Sequence, residues 1–450
     1  MPGKPKRPSS SKAQPPKKHK PNPRPPQPKK TWYNADLIQI KLTDIANGGY
    51  ALGLHQKRPV FVPYSIPGET VEARITRRDE KVMFAEGVRL LVSSGDRITP
   101  QCQHFGPGRC RNCQWQHMNY PAQLLLKHDI LADQLGRVGK FPDAVLAPVL
   151  KRTLPAAQLW GYQHQTTLER MADGGLGFMR TDGQSIEPLV LCHTLHPDLQ
   201  ALYETLDIDF PEMRRITLQR GSDGATMLLL EMTTENVPEL AADFATSVNV
   251  LLPNNEPANL IGDTAVQYVV GERPFRVTAG SFFRANVPQI NTLISEVLKV
   301  LPLTNRAKVL DLYAGVGVFS AFLAARVSLV TLVESYPPAV SDADVNLAAF
   351  ENVDVVEGAV EEVLLSLIEA QVKYEAAIVD PPGSGMSQAA LAALLQLAPH
   401  SIVYIGSNPA SLARDCQHFA KNGYQVRHIQ PIDFAPQTYY VETIVLMQKA

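Results

Sequence analysis

Val309-Leu310-Asp311-Leu312-Tyr313-Ala314-Gly315-Val316-Gly317-Val318-Phe319 is the stretch that decides how the last third of this chain folds. Its first residues are an apolar run broken by one acid, the composition of a strand buried on both faces. Gly315 and Gly317 then let the backbone turn tightly, and a helix begins directly after them. Glu334 lies 23 residues past Asp311, at the end of the next expected strand. A carboxylate there can take both hydroxyls of a ribose. The G-x-G spacing is looser than a dinucleotide fingerprint, and alone it fits any strand–helix turn. Joined to Glu334 and to Asp380-Pro381-Pro382 at a fourth strand end, it favours an adenosyl ligand.

Outward from that loop the chain reads as α/β. Strands are expected at Lys308–Leu312, Ser328–Glu334, Asp354–Val356, Ala376–Asp380, Ser401–Ile405, Gln425–Ile432 and Tyr440–Gln448, with helices between the earlier ones. The last two strands leave no room for a helix and are expected to pair antiparallel. Toward the N-terminus the pattern changes. Leu37–Leu42, Tyr50–Leu54, Pro59–Pro63, Glu69–Thr76 and Lys81–Leu90 read as five short strands separated by turn signals, which predicts a small closed barrel of the oligonucleotide-binding type. A helix is expected at Tyr120–Gly136. From Trp160 to about Ala245 the pattern is α+β, with hairpin turns at Gly174-Gly175 and Ser222-Asp223-Gly224.

Composition sets outer limits. The chain has 450 residues, of which 45% are hydrophobic, as in ordinary globular proteins. It contains no apolar run of about 18 residues, so no membrane span is expected. The basic N-terminus is not followed by an apolar segment, which argues against a secretory signal. The formal net charge of -1 conceals an asymmetry. Residues 1–30 carry ten Lys or Arg and no acid, and the remainder holds 33 basic against 44 acidic residues. A tail so rich in Pro and Lys cannot bury a core and is expected to be disordered. It reads equally as an arm for RNA phosphates or as a solubilising tail.

Five cysteines, with three of them clustered, suggest a cytosolic chain that uses thiols for ligation. Cys102, Cys110 and Cys113 lie close together and Cys192 returns later. Such a set suits zinc or an iron–sulfur cluster, and spacing alone does not separate the two. Cys416 reads as a buried helix residue.

A series of motifs over nearly the whole chain after residue 33 resembles the RNA uracil-5-methyltransferases that carry a TRAM domain. Arg97-Ile98-Thr99-Pro100-x-Cys102-x-His104-Phe105-Gly106 and Cys110-x-x-Cys113-x-x-Gln116-His117 resemble the cluster motif, and Tyr120 and Gln123 to Lys127 continue it. Gly280-Ser281-Phe282-Phe283-Arg284-Ala285-Asn286 resembles the segment that opens the catalytic domain. Asp311 to Gly317, Glu334, Gly358-Ala359 and Asp380-Pro381-Pro382 resemble the cofactor pocket. Tyr404 to Asp415 resembles the nucleophile loop, and Asp433 to Glu442 the loop that carries the general base.

The resemblance implies a basic tail (1–33), a TRAM β-barrel (34–93), a central α+β region with the iron–sulfur site (94–285) and a Rossmann-like class I methyltransferase domain (286–450). It implies S-adenosylmethionine bound by Arg284, Tyr313, Gly315, Gly317, Glu334 and Asp380, and a [4Fe–4S] cluster on Cys102, Cys110, Cys113 and Cys192. The implied partner is RNA, above all ribosomal RNA, in the cytoplasm, with no membrane and no obligate protein partner. In the family a thiolate adds to uracil C6, the resulting enolate attacks the sulfonium methyl through C5, and a carboxylate removes the C5 proton.

By resemblance that carboxylate is Glu442, while the nucleophile position holds Ser407. A serine hydroxyl is too weak an acid to attack without a strong base beside it. Arg284 replaces a glutamine of the family, Gly383 an arginine, and Tyr440 a histidine. Gln163-His164-Gln165 replaces a basic stretch after Tyr162. The first expectation is methylation of uracil C5, in ribosomal RNA; the alternatives are a non-catalytic protein that keeps its cofactor and RNA, and methyl transfer to another RNA atom without a covalent adduct.

Overall fold

The computed structural model describes residues 37–208, 210–237 and 245–450; the tail expected at 1–33 lies outside them. β1 (Leu37–Ala46), β2 (Tyr50–His55), β3 (Arg58–Val62), β4 (Thr70–Arg78) and β5 (Met83–Val92) close into a barrel in the order β1-β2-β3-β5-β4, with β4 pairing back onto β1. Alternate residues point inward, so Ile38, Ile40 and Leu42 of β1 meet Val60, Val62, Val71 and Ala73 in a small core. The segment that follows is riveted to the barrel. Arg97 donates to both oxygens of fully buried Glu69, at 2.6 and 2.7 Å. Farther along, Phe105 packs edge-on against Tyr64 and Trp115 Nε1 donates to Gly49 O, so this segment stays in contact with the barrel. The helix Tyr120–Arg137 then begins under an Asn119 cap.

Among the described residues a central sheet of seven strands comes next. It comprises β6 (Gln165–Arg170), β7 (Leu176–Met179), β8 (Ile186–Pro188), β9 (Met213–Arg220), β10 (Thr226–Met232), β11 (Ser247–Leu251) and β12 (Pro257–Ile261), in the order β12-β11-β10-β9-β6-β7-β8. The region is richer in strands than its sequence suggests, with the helix Pro197–Thr205 packed on the sheet. Both expected hairpin turns form, and Gly174 and Gly224 take positive φ in them. The hairpin of β13 (Ala265–Val270) and β14 (Arg273–Thr278) shares its apolar core with Val309, Val330 and Ile378.

The C-terminal sheet contains β15 (Lys308–Leu312), β16 (Leu329–Glu334), β17 (Val353–Glu357), β18 (Ala376–Val379), β19 (Ser401–Gly406), β20 (Tyr424–Ile432) and β21 (Glu442–Lys449). Their order is β17-β16-β15-β18-β19-β21-β20; β21 runs antiparallel between β19 and β20 and the others are parallel. Successive residues feed opposite layers: Val309, Ile378 and Val403 face one core, Leu310, Ala377 and Ile402 the other. Double burial explains the near-continuous apolar runs, each fully buried side chain contributing roughly 1.5–3 kcal/mol. β21 starts two residues later than expected. Residues 433–441 are a loop instead, because their backbone groups are already bonded to other parts of the fold, as described below.

Strand order reverses between β15 and β18, so the carboxyl ends of these strands frame a crevice where ligands bind in open α/β sheets. No helix among the described residues is long and apolar enough to cross a membrane.

Candidate active site

The glycine loop forms one wall of that crevice. Tyr313, just beyond β15, sits at φ 61°, a left-handed conformation that a tyrosine holds only when its surroundings fix it. Gly317 has φ 85°, and a Cβ there would come 2.8 Å from Leu347 Cδ1, so only glycine fits. Asp311 is fully buried and its Oδ2 accepts from the Ser320 amide (3.0 Å) and hydroxyl (2.6 Å), tying strand to helix. Burial pushes its carboxyl up to about 7, opposed by those two Ser320 bonds. Glu334, at the end of β16, accepts from the Gly315 amide at 2.9 Å through one oxygen, and from the Ser335 and Tyr336 amides through the other.

Arg284, Tyr313, Gly315 and Asp380 line one cleft of about 490 Å³, closed on other sides by Phe282 and Phe319. Gly317 and Glu334 shape the loop beside it. The Gly280–Asn286 segment reaches the cleft because Asp342 anchors the strand before it. Asp342 accepts from the Arg276 side chain, from the Thr278 amide and hydroxyl, and from the Ser281 hydroxyl.

Arg284 is the central group of the site. Its Nη2 lies 2.9 Å from Asp380 Oδ1 and 3.3 Å from Glu442 Oε1, and all three side chains are at most 16% exposed. Burial drives both carboxyls above their ordinary range, and the shared guanidinium offsets only part of that rise, so both stay raised. Burial also opposes the charge on Arg284, but the two carboxylates outweigh it and hold the guanidinium protonated. One cation between two carboxylates presents no uncompensated positive charge to the cleft.

Ser407 follows β19 directly and is exposed. Gly406 pairs with Thr443, so positions 407 and 442 lie at the same end of adjacent strands. The loop is firmly built. Asn408 caps the helix Pro409–Lys421 through the Ala410 amide (3.0 Å), and Ser411 Oγ donates to Gly383 O (2.9 Å). Asp415 accepts from Met386 N and Tyr404 Oη. Ser407 opens on a second cleft, of about 700 Å³, shared with Asn47, Gly48, Gly383, Asn408, Pro409, Tyr439 and Tyr440. None of these is a carboxylate, imidazole or amine that could activate a hydroxyl. A Cβ at Gly383 would still stand 3.9 Å from Ser407 Oγ, so the missing side chain leaves open space. Cys416 is fully buried in the helix behind the loop.

The four remaining cysteines, Cys102, Cys110, Cys113 and Cys192, line one small cavity together with His104, Phe105 and Phe178. Burial pushes the Cys110 thiol up to about 12, with Cys192 and Cys102 adding to it. Among the described residues no three His, Cys, Asp or Glu side chains gather closely enough to hold a metal ion. A polynuclear cluster asks for less convergence, because each thiolate binds a different iron.

One part of the site was not anticipated from the sequence: the support of the 433–441 loop. Lys127 and Asp433, both fully buried, pair at 2.5 Å. Burial lowers the Lys127 pKa, and Asp433 opposes that shift. Gln123, 1% exposed, bonds Gln437 through both ends of its amide. The available signal was the i, i+4 placement of Gln123 and Lys127 on the face of the helix that also carries buried Leu126 and Ile130.

A sheet in this order, a glycine loop at the switch point and an acid ending the second strand define a Rossmann-like methyltransferase domain. Residues 266–450 match the family model described as tRNA (Uracil-5-)-methyltransferase, and residues 32–88 match the TRAM domain. A protein from Streptomyces avermitilis described as an uncharacterized RNA methyltransferase is 31% identical over 426 residues, covering 92% of this chain and 98% of the relative. A likewise described protein from Streptomyces coelicolor is 32% identical over 427 residues, 92% and 93% of the two chains. The chain belongs to the TRAM-containing RNA (uracil-5-)-methyltransferase family. Its fold is also similar to the crystal structure of Pyrococcus abyssi tRNA (uracil-54, C5)-methyltransferase in complex with S-adenosyl-L-homocysteine, with a TM-score of 0.69, 22% identity, and coverage of 91% of this chain and 100% of the other.

Proposed function

We propose that this chain methylates RNA with S-adenosylmethionine, ribosomal RNA being the substrate the family resemblance implies, and that the acceptor is an atom with its own lone pair instead of uracil C5. The observation that carries this reading is the Arg284–Glu442 ion pair beside a serine at position 407. The C5 route needs two things beyond the cofactor: a thiolate to activate C6 and a free carboxylate to remove the C5 proton. Those are the two elements altered here, while the glycine loop and Asp380 are retained. A ring or exocyclic heteroatom needs neither.

In this reading Tyr313, Gly315, Gly317, Glu334 and Asp380 hold the cofactor, which supplies an electrophilic methyl group. Arg284 holds Asp380 and Glu442 in place and opposes the rise that burial imposes on both carboxyls. The acceptor base leaves its stack and enters the cleft at Ser407, walled by Tyr439 and Tyr440. The four cysteines supply the thiolate set of a [4Fe–4S] cluster, as the family resemblance implies. The protein works in the cytoplasm.

The C5 reading keeps in its favour the match of residues 266–450 to the uracil-5 family and the placement of positions 407 and 442 at one end of neighbouring strands. Mass spectrometry of nucleosides from RNA incubated with the protein and methyl-labelled S-adenosylmethionine separates the readings. Label on a heteroatom is expected. Label in 5-methyluridine would restore the C5 route, and no label in any nucleoside would favour a binding protein without catalysis.

A further inference from the structure

The loop that ends at Glu442 is gripped from two sides, and each grip begins beside a cysteine. On one side, the two amides that follow Cys113, those of Gln114 and Trp115, both donate to Gln437 O, at 3.1 and 2.9 Å. Gln123 adds its own pair of bonds to Gln437. Trp115, fully buried, donates through Nε1 to Gly49 O (3.1 Å). A Cβ at Gly49 would lie 2.9 Å from the Tyr439 ring and 3.0 Å from Trp115 Nε1, so the barrel turn is wedged between these rings. On the other side, Cys192 Sγ lies 3.3 Å from Thr194 Oγ1, which donates to Gln163 Oε1 at 3.2 Å. The adjacent Tyr162 hydroxyl donates to Pro436 O at 3.0 Å. Pro436 and Gln437 thus sit between two jaws, and Gln437 is held at φ 71°, a left-handed conformation that a non-glycine residue keeps only under constraint.

The jaws come from different parts of the fold, the segment riveted to the barrel and the edge of the central sheet. Their thiols share one cavity. Whatever bonds all four thiols fixes one jaw against the other.

We propose that Gln437 and Gln123 are positioning residues through which occupancy of the cysteine site closes this clamp and sets Tyr439, Tyr440 and Glu442 at the acceptor cleft. The inference rests on the reading of the cysteine site as an iron–sulfur site. The two-state element that such coupling requires is the 433–441 loop, clamped or released.

The test compares full-length protein reconstituted anaerobically with iron and sulfide against the same protein stripped with reductant and chelator. Iron content and amide hydrogen exchange of peptides spanning residues 434–441 are both measured. Loading is expected to slow exchange in this loop at least tenfold and to leave barrel peptides over 58–62 unchanged. Gln123→Met removes both of its bonds to Gln437 and is expected to keep the parent's iron content yet lose much of the loading-dependent protection. Gln437→Ala, which keeps the backbone bonds and loses only the one from Gln123 Nε2, is expected to lose less. Iron bound with identical loop exchange in both states overturns the clamp alone. Failure to bind iron overturns the cluster reading on which the clamp depends.

Discussion

Arg284 places its guanidinium 3.3 Å from the Glu442 carboxylate, so the group that heads β21 is ion-paired before any substrate enters the cleft. The same nitrogen holds Asp380 at 2.9 Å. Burial holds the Glu442 carboxyl above its ordinary range and the guanidinium opposes that rise, so the paired carboxylate is a weaker proton acceptor than the same buried group would be unpaired.

This arrangement separates two steps of the C5 reaction. The parent protein is expected to form no covalent adduct with 5-fluorouridine RNA, and Ser407→Cys to form one, because the thiol can reach a thiolate that adds to C6. Fluorine at C5 traps the adduct before the base acts. Adding Arg284→Gln is therefore expected to leave the adduct yield unchanged and to raise 5-methyluridine formation on ordinary RNA. Denaturing gels and nucleoside analysis read the two steps. Absence of an adduct with Ser407→Cys would mean that the cleft no longer accepts a uracil.

Glu334 holds the glycine loop by the Gly315 amide and stands where a ribose is expected. Glu334→Ala is expected to weaken S-adenosylmethionine binding at least tenfold, since charge-assisted hydrogen bonds are lost from both loop and ligand. Isothermal calorimetry measures it. Unchanged affinity would remove Glu334 from the pocket.

Asp311 gives the stability of the domain a pH dependence of known sign. Burial raises its folded pKa to about 7, well above its value in the unfolded chain. Between these values the folded state keeps a proton that the unfolded state has lost. Stability is therefore greatest at low pH and falls as pH rises toward about 7, by up to about 1.4 kcal/mol per pH unit from this group. Asp311→Asn is expected to gain relative to the parent as pH increases from 5 to 8. Urea denaturation at both pH values checks the difference, and a pH-independent offset would refute it.

Lys127→Met strands Asp433 as a buried, unpaired charge. A loss of roughly 3–5 kcal/mol is expected, as for other buried pairs that lose one partner. The double variant Lys127→Met, Asp433→Leu is expected to recover part of it. Equal losses in the single and double variants would show that the charge pair itself is not the cause.

The basic segment 1–30 is expected to supply non-specific RNA affinity through phosphate contacts. A chain beginning at Thr31 is expected to bind RNA more weakly, with a shallower dependence on salt. Identical affinity and slope in filter binding would make the segment a solubilising tail.

The sequence by itself determined what depends on local pattern. Turn signals bounded the five short barrel strands, and apolar runs marked the buried strands β15, β16, β18 and β19. Paired glycines placed the loop after Leu312, and the absence of a helix-length linker made β20 and β21 antiparallel. The residues lining the cleft beside that loop, Arg284, Tyr313, Gly315 and Asp380, were legible as motifs. Relations between distant segments were not, because hydrophobic periodicity carries no information about which polar groups meet. Tertiary structure alone decided that Arg284 bridges Asp380 and Glu442, 96 and 158 residues away. It also brought Gln123 to Gln437 across 314 residues. Those contacts form because buried polar groups must find partners, and only the folded packing decides which partners are in reach.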